Sequence, residues 1–244
     1  MTDESTPGRR RFLTTQWSVV LAASGDDSGA AKTALADLCA SYWYPLYAFA
    51  RRGGATEHDA QDQVQAFFAT LLEKDYLRAA DRDRGRFRTF LLTAFQNHTS
   101  KERDKQNAQK RGGLRTHLTL DFRDGERRYL REPTDDLTPE RIYERRWALT
   151  LLAHALERLE ERLRKDGKER VFSALSPFLA AGTLRPSYDE AAEGAGLSVS
   201  AVKSAVRRLR GAYRDALRDE IARTVPDGDA VDQEIRHLME AVAG

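Results

Sequence analysis

Ser200, Lys203, Ser204, Arg207 and Arg210 recur at the three- and four-residue intervals that place side chains on one side of an α-helix. Cations in such a row, mixed with small hydroxyls, suit a polyanion. Between Val199 and Arg218 there are six basic residues (Lys203, Arg207, Arg208, Arg210, Arg214 and Arg218) against Asp215 alone, in a chain whose formal charge is only +2. A second positive stretch, Arg82 to Arg111, has nine basic residues against three acids and is interleaved with Phe87, Phe90 and Phe95. Aromatic faces beside cations are what unpaired bases need, because stacking contributes about 1–3 kcal/mol per base. Phe90 and Phe95 fit a hydrophobic core at least as well. Phe87, flanked by Arg86 and Arg88, is the residue best placed for a base. A third constellation, Asp59, Asp62 and Gln65, lies on one helical face opposite Val64, Phe67 and Phe68. Paired carboxylates could serve acid–base or metal chemistry, but only His58 stands near as a further ligand. The five histidines have no ligand spacing, and there is no HExxH, P-loop or nucleophile motif. The expectation is therefore no catalysis, no metal and no cofactor, with the acidic face docking a partner protein.

The elements that must carry these residues are helical. Leu35, Leu38, Tyr42, Leu46 and Phe49, then Val64, Phe67, Phe68, Leu71 and Leu72, then Phe87, Phe90, Leu91, Ala94 and Phe95 all repeat at three and four. Gly112 and Gly113 close this first unit. From Leu114 to about Arg141 the pattern fails amid two prolines and mixed charge, with at most a short strand-like patch, and reads as a flexible linker. Helical order resumes with Leu149, Leu152, Leu156, Leu159 and Leu163 and stops at Asp166-Gly167. Ser187 and Glu190 form a Ser-x-x-Glu capping box. Ala192 permits a close helix crossing, Gly196 falls at a turn, and Ser198 can cap the basic helix, whose Val199, Val202, Val206 and Leu209 form a buried face. This predicts a helix-turn-helix. In such a unit the start of the second helix reads base edges and later cations hold phosphates, so Ser200, Lys203, Ser204 and Arg207 are base-reading candidates, with Arg208, Arg210 and Arg214 beside them.

Composition bounds the rest. The 244 residues, 41% hydrophobic, suffice for one large or two modest domains. Cys39 has no partner for a disulfide or zinc site, which fits a reducing cytosol, and it reads as core, as do Trp17, Trp43 and Trp147. No apolar run approaches the roughly 20 residues of a membrane span, and the start lacks the apolar core of a secretory signal. The expected architecture is all-α: a 1–29 extension, a unit over 30–113, a 114–141 linker, a helix-turn-helix unit over 142–223, and a 224–244 helical extension.

The succession of "LCASYWYPLYAFARR", "HDAQDQVQAFF" and "GRFRTFLLTAFQNHTSKERDKQNAQKRGG", followed by a linker and a basic helix-turn-helix, resembles the sigma-70 family of RNA polymerase initiation factors, of the small extracytoplasmic-function type. The likeness covers about Leu35 to Gly113 and Leu149 to Ile221. It implies that Asp59, Asp62 and Gln65 dock on core RNA polymerase. It implies too that the first unit opens the minus-ten promoter element, with Arg84, Arg86, Phe87, Arg88, Asn97, Lys101 and Arg103 as contacts. The second unit would read the minus-thirty-five element of promoter DNA with the helix from Val199. An anti-sigma factor or another regulator is a further candidate partner, and a cytoplasmic location is expected. Gln63 stands where the family usually has an aliphatic residue, the "LLEKDYLRAADRDRGRF" stretch is long, and both chain ends lie outside the pattern. The alternative from the same residues is a stand-alone helix-turn-helix regulator that binds duplex DNA without polymerase.

Overall fold

The computed structural model describes residues 29–72, 86–108, 122, 124–132, 137–179, 185–225 and 229–243. Among them all regular structure is helical: α1 (Gly29–Arg52), α2 (Glu57–Leu72), α3 (Phe87–Ala108), α4 (Gly125–Tyr129), α5 (Pro139–Lys165), α6 (Glu169–Leu175) with a 3-10 turn (Ser176–Phe178), α7 (Tyr188–Ala195), α8 (Val199–Ala222) and α9 (Asp229–Ala243). The fold is all-α, as the periodicities predict. Trp17, the strand-like patch and Gly112-Gly113 lie outside the described residues.

Local chemistry sets the helix ends. Arg51 and Arg52 close α1, where cations meet the negative end of the helix dipole. Thr56 then caps α2, its Oγ1 accepting from the Asp59 amide at 3.1 Å. Thr138 caps α5 ahead of Pro139, a residue that loses nothing at a first helical position because that amide has no intrahelical partner.

Two buried clusters organise the packing. The larger gathers Tyr42, Leu46, Phe67, Phe68, Phe87 and Phe95 from α1–α3, but also Tyr143, Trp147 and Leu151 of α5, Leu217 and Ile221 of α8, and Val231 and Leu238 of α9. The smaller joins Leu159 of α5 to Phe172, Leu175, Phe178, Ala191, Ala192, Val202, Val206 and Leu209. The packing boundary thus runs through α5 and α8 instead of through the 114–141 segment. One uninterrupted helix of 27 residues serves both clusters. The expected units at 30–113 and 142–223 therefore share a core, and the expected extension from 224 contributes to it.

The described part of the expected linker is docked. Gly125 lies where an added Cβ would meet Trp43 Cζ3 at 3.3 Å, so glycine lets α4 approach α1 without displacing the indole. Glu126 accepts from Tyr47 Oη at 2.5 Å and from Arg51 at 2.9 and 2.7 Å. Glu132 accepts from Tyr44 Oη at 2.7 Å and pairs with Arg146 of α5. Every buried carboxylate oxygen in this strap meets a donor, which is what makes its burial tolerable.

Candidate nucleic-acid interface

The turn between α7 and α8 is built by side chains that satisfy helix ends. Ser187 accepts from the Glu190 amide at 3.1 Å while Glu190 Oε2 accepts from the Ser187 amide at 2.7 Å, completing the capping box. That charge-assisted bond to the Ser187 backbone holds the Glu190 carboxyl below its ordinary pKa. Gly196 ends α7 with φ 67° and ψ 37°, the left-handed conformation that costs glycine nothing. Arg170 of α6 donates to the Gly194 carbonyl at 2.7 Å and the Glu193 carbonyl at 3.2 Å, occupying orphan acceptors at the end of α7. Ser198 Oγ then accepts from the Ala201 amide at 3.3 Å and starts α8.

From this start α8 divides cleanly. Val202, Val206 and Leu209 are buried against the smaller cluster, whereas Ser200, Lys203, Ser204, Arg207, Arg208, Arg210 and Arg214 are all exposed. Lys203, Arg207, Arg210 and Arg214 line one cleft of about 470 Å³ together with Tyr188. Tyr188 stacks on Phe178, with ring centroids 5.2 Å apart, and Lys203 Nζ sits 5.6 Å from the Tyr188 ring. Arg210 is the most constrained of these cations, donating twice to the Phe178 carbonyl at 3.3 and 3.1 Å. Arg208 departs from the group. It borders an apolar groove with Leu163, Phe172 and Leu175 on another side of α8, because one residue step turns the helix by about 100°. Tyr188 and Arg170 were not among the predicted site residues. The only local signal for Tyr188 is its place just after the capping Ser187, and Arg170 reaches its partners across more than twenty residues.

The first positive stretch is arranged differently from the expectation. Phe87 is wholly buried at 0% exposure, edge-on to Tyr42 at 5.4 Å, so it has no face for a base. Arg88 is 3% exposed and ion-paired with Glu234 of α9 and Glu144 of α5, a structural cation in this conformation. Burial disfavours its charge, but the Glu234 hydrogen bond and the two carboxylates outweigh that and hold its pKa above the ordinary arginine value. Arg86 is partly exposed and also pairs with Glu234, at 2.9 Å. Asn97 and Lys101 are exposed one turn apart on α3. Of Arg103 only the backbone in α3 is described, and Arg84 lies outside the described residues.

On α2, Asp59 is exposed and accepts from Thr56 Oγ1 at 2.7 Å. Asp62 and Gln65 are partly exposed on the side away from Val64, Phe67 and Phe68, and His58 approaches Asp62 at 3.8 Å. Cys39 is buried, and its desolvated thiol is pushed up to about 12, which makes it inert as a nucleophile. Among the described residues no group of three or more His, Cys, Asp or Glu could hold a metal ion, and no helix is long and apolar enough to cross a membrane. No protein-family model, curated protein or solved structure matches the chain.

Proposed function

We propose that this chain is a sigma-type initiation factor: it joins core RNA polymerase through the Asp59, Asp62 and Gln65 face and recognises promoter DNA through α8, in the cytoplasm. The observation that carries this reading is the exposed row Lys203, Arg207, Arg210 and Arg214 standing behind a capped, glycine-closed turn, with the opposite face of α8 buried. A helix held in that way can enter a major groove with Ser200, Lys203, Ser204 and Arg207 toward base edges and Arg210 and Arg214 toward phosphates. On this reading the chain performs no covalent chemistry, and polymerase supplies the remaining surface for strand opening. The test is co-purification with core polymerase followed by transcription from mapped promoters. Failure to associate with core overturns the proposal.

The burial of Phe87 and Arg88 favours a second reading, because among the described residues of the first positive stretch Phe87 and Phe95 are buried and Phe90 is only partly exposed. A stand-alone duplex-binding regulator needs α7 and α8 alone. It predicts tight sequence-specific binding without polymerase and a symmetric footprint, which separates the two readings in one footprinting experiment.

A further inference from the structure

Glu234 of α9 is wholly buried, yet it is a carboxylate, and both of its cationic partners come from the start of α3. Its Oε1 accepts from Arg88 Nε at 2.6 Å, and its Oε2 lies 2.9 Å from Arg86 Nε. Glu144 of α5 takes the other side of the Arg88 guanidinium, and His237 of α9 reaches Glu144 at 2.8 Å. The guanidinium lies 4.8 Å from the Trp147 ring, and His237 covers that ring from α9 with centroids 6.3 Å apart. One amphipathic helix, α9, thus pairs with the partly exposed Arg86 and covers Arg88 and one side of the Trp147 ring.

We propose that α9 is a displaceable cover over a nucleic-acid surface made of Arg86, Arg88 and Trp147, and that single-stranded DNA competes with Glu234 for the two arginines. A helix serving only to fill the core would present apolar side chains throughout, as it does at Val231 and Leu238. A buried ion pair adds little net stability over such residues, since desolvation offsets the attraction; its attested use is to select one arrangement among alternatives. A phosphate, like a carboxylate, has oxygens that can each meet one guanidinium, as Glu234 Oε1 and Oε2 meet Arg88 and Arg86, so exchanging Glu234 for a nucleic-acid backbone preserves the charge pairing. The tie between Arg218 of α8 and Asp232 of α9 is an exposed pair of the weak class. Lifting α9 would free both guanidinia and take His237 from the side of the Trp147 ring, leaving cations stacked by an indole, the combination that holds unpaired bases and that a duplex cannot use. This rests on the reading of the chain as a nucleic-acid-binding factor, but not on polymerase.

The experiment uses the full chain carrying Arg207→Ala and Arg214→Ala, which removes the rival site on α8, and an oligothymidylate of about twelve nucleotides at low salt. Glu234→Gln in that background should bind about tenfold more tightly, since apparent affinity rises with the fraction of chains already open. Hydrogen exchange in the Glu234 parent should show amides of 229–243 losing protection when the oligonucleotide is added. Equal or weaker binding by a folded Glu234→Gln chain, binding with α9 protection unchanged, or no binding by either chain overturns the proposal. Should Glu234→Gln not fold, the exchange measurement on the parent decides alone. Association with core polymerase is read separately, so the cover can fail while the proposed function stands, and the reverse.

Discussion

Gly196 and Gly211 lie in the same two-helix unit, and replacing each by alanine should move stability in opposite directions. At Gly196 the backbone has φ 67°, and an added Cβ would find only the Arg170 guanidinium, no nearer than 3.8 Å. Contact is therefore ordinary, and the cost is the backbone's alone, about 1–2 kcal/mol for a side chain held in the left-handed region. At Gly211, inside α8, nothing lies within 4 Å of an added Cβ, so alanine gains the helix preference of about 0.5–1 kcal/mol. For a chain of this size about 1 kcal/mol moves Tm by roughly 2–4 °C. Gly196→Ala should thus melt a few degrees lower and Gly211→Ala a degree or more higher, by calorimetry under matched conditions. Gly196→Ala should also weaken duplex binding, because the turn aims α8. Equal Tm shifts of the same sign would refute the assignment of the turn. A loss at Gly196 well above about 2 kcal/mol would refute the claim that the backbone is the whole cost.

Phe87→Ala should destabilise the fold by about 3–5 kcal/mol in chemical denaturation, as expected for an emptied aromatic site in the core; a change near zero would place the ring on the surface. Arg207→Ala should lower affinity for a specific duplex by about 1–3 kcal/mol and relax selectivity at one position, read by competition binding. Asp62→Ala should weaken retention by core polymerase while leaving duplex binding intact, a contrast that pull-down and anisotropy together report. Glu126 is held below its ordinary pKa first by the Arg51 hydrogen bond, against burial and with help from Tyr47. A depressed carboxylate contributes stability that is present above its unfolded value of about 4.3 and is lost as pH falls through the lower folded value. Glu126→Gln should therefore flatten the acid limb of a stability-versus-pH curve measured by denaturant titration.

Helix positions and ends were legible because they are local. The Ser187–Glu190 box, the Gly196 turn and the Asp166-Gly167 stop each need only neighbouring residues to be recognised. Partners were not. Periodicity shows that Trp147 and Leu159 both face inward from α5, but cannot show that they face two different clusters. Likewise "RFR" reads as an exposed basic patch because the carboxylate that neutralises Arg88 stands 146 positions away in the chain. On α8 the cations from Lys203 to Arg214 are exposed, as their local spacing opposite Val202, Val206 and Leu209 suggests, whereas a one-step rotation sends Arg208 to another groove.

The unbroken α5 has a mechanical meaning. At 1.5 Å per residue its 27 residues make a rod about 40 Å long, anchored at one end among the α1–α3 aromatics and at the other beneath α7 and α8. Such a rod acts as a lever of fixed length: a tilt of about ten degrees at Trp147, about 27 Å from the far end, moves that end by about 5 Å, close to one helical turn. Because α8 seats Leu217 and Ile221 in the same larger cluster, a shift in the seat of Trp147 would reach Ser200 and Arg207 along two helices at once.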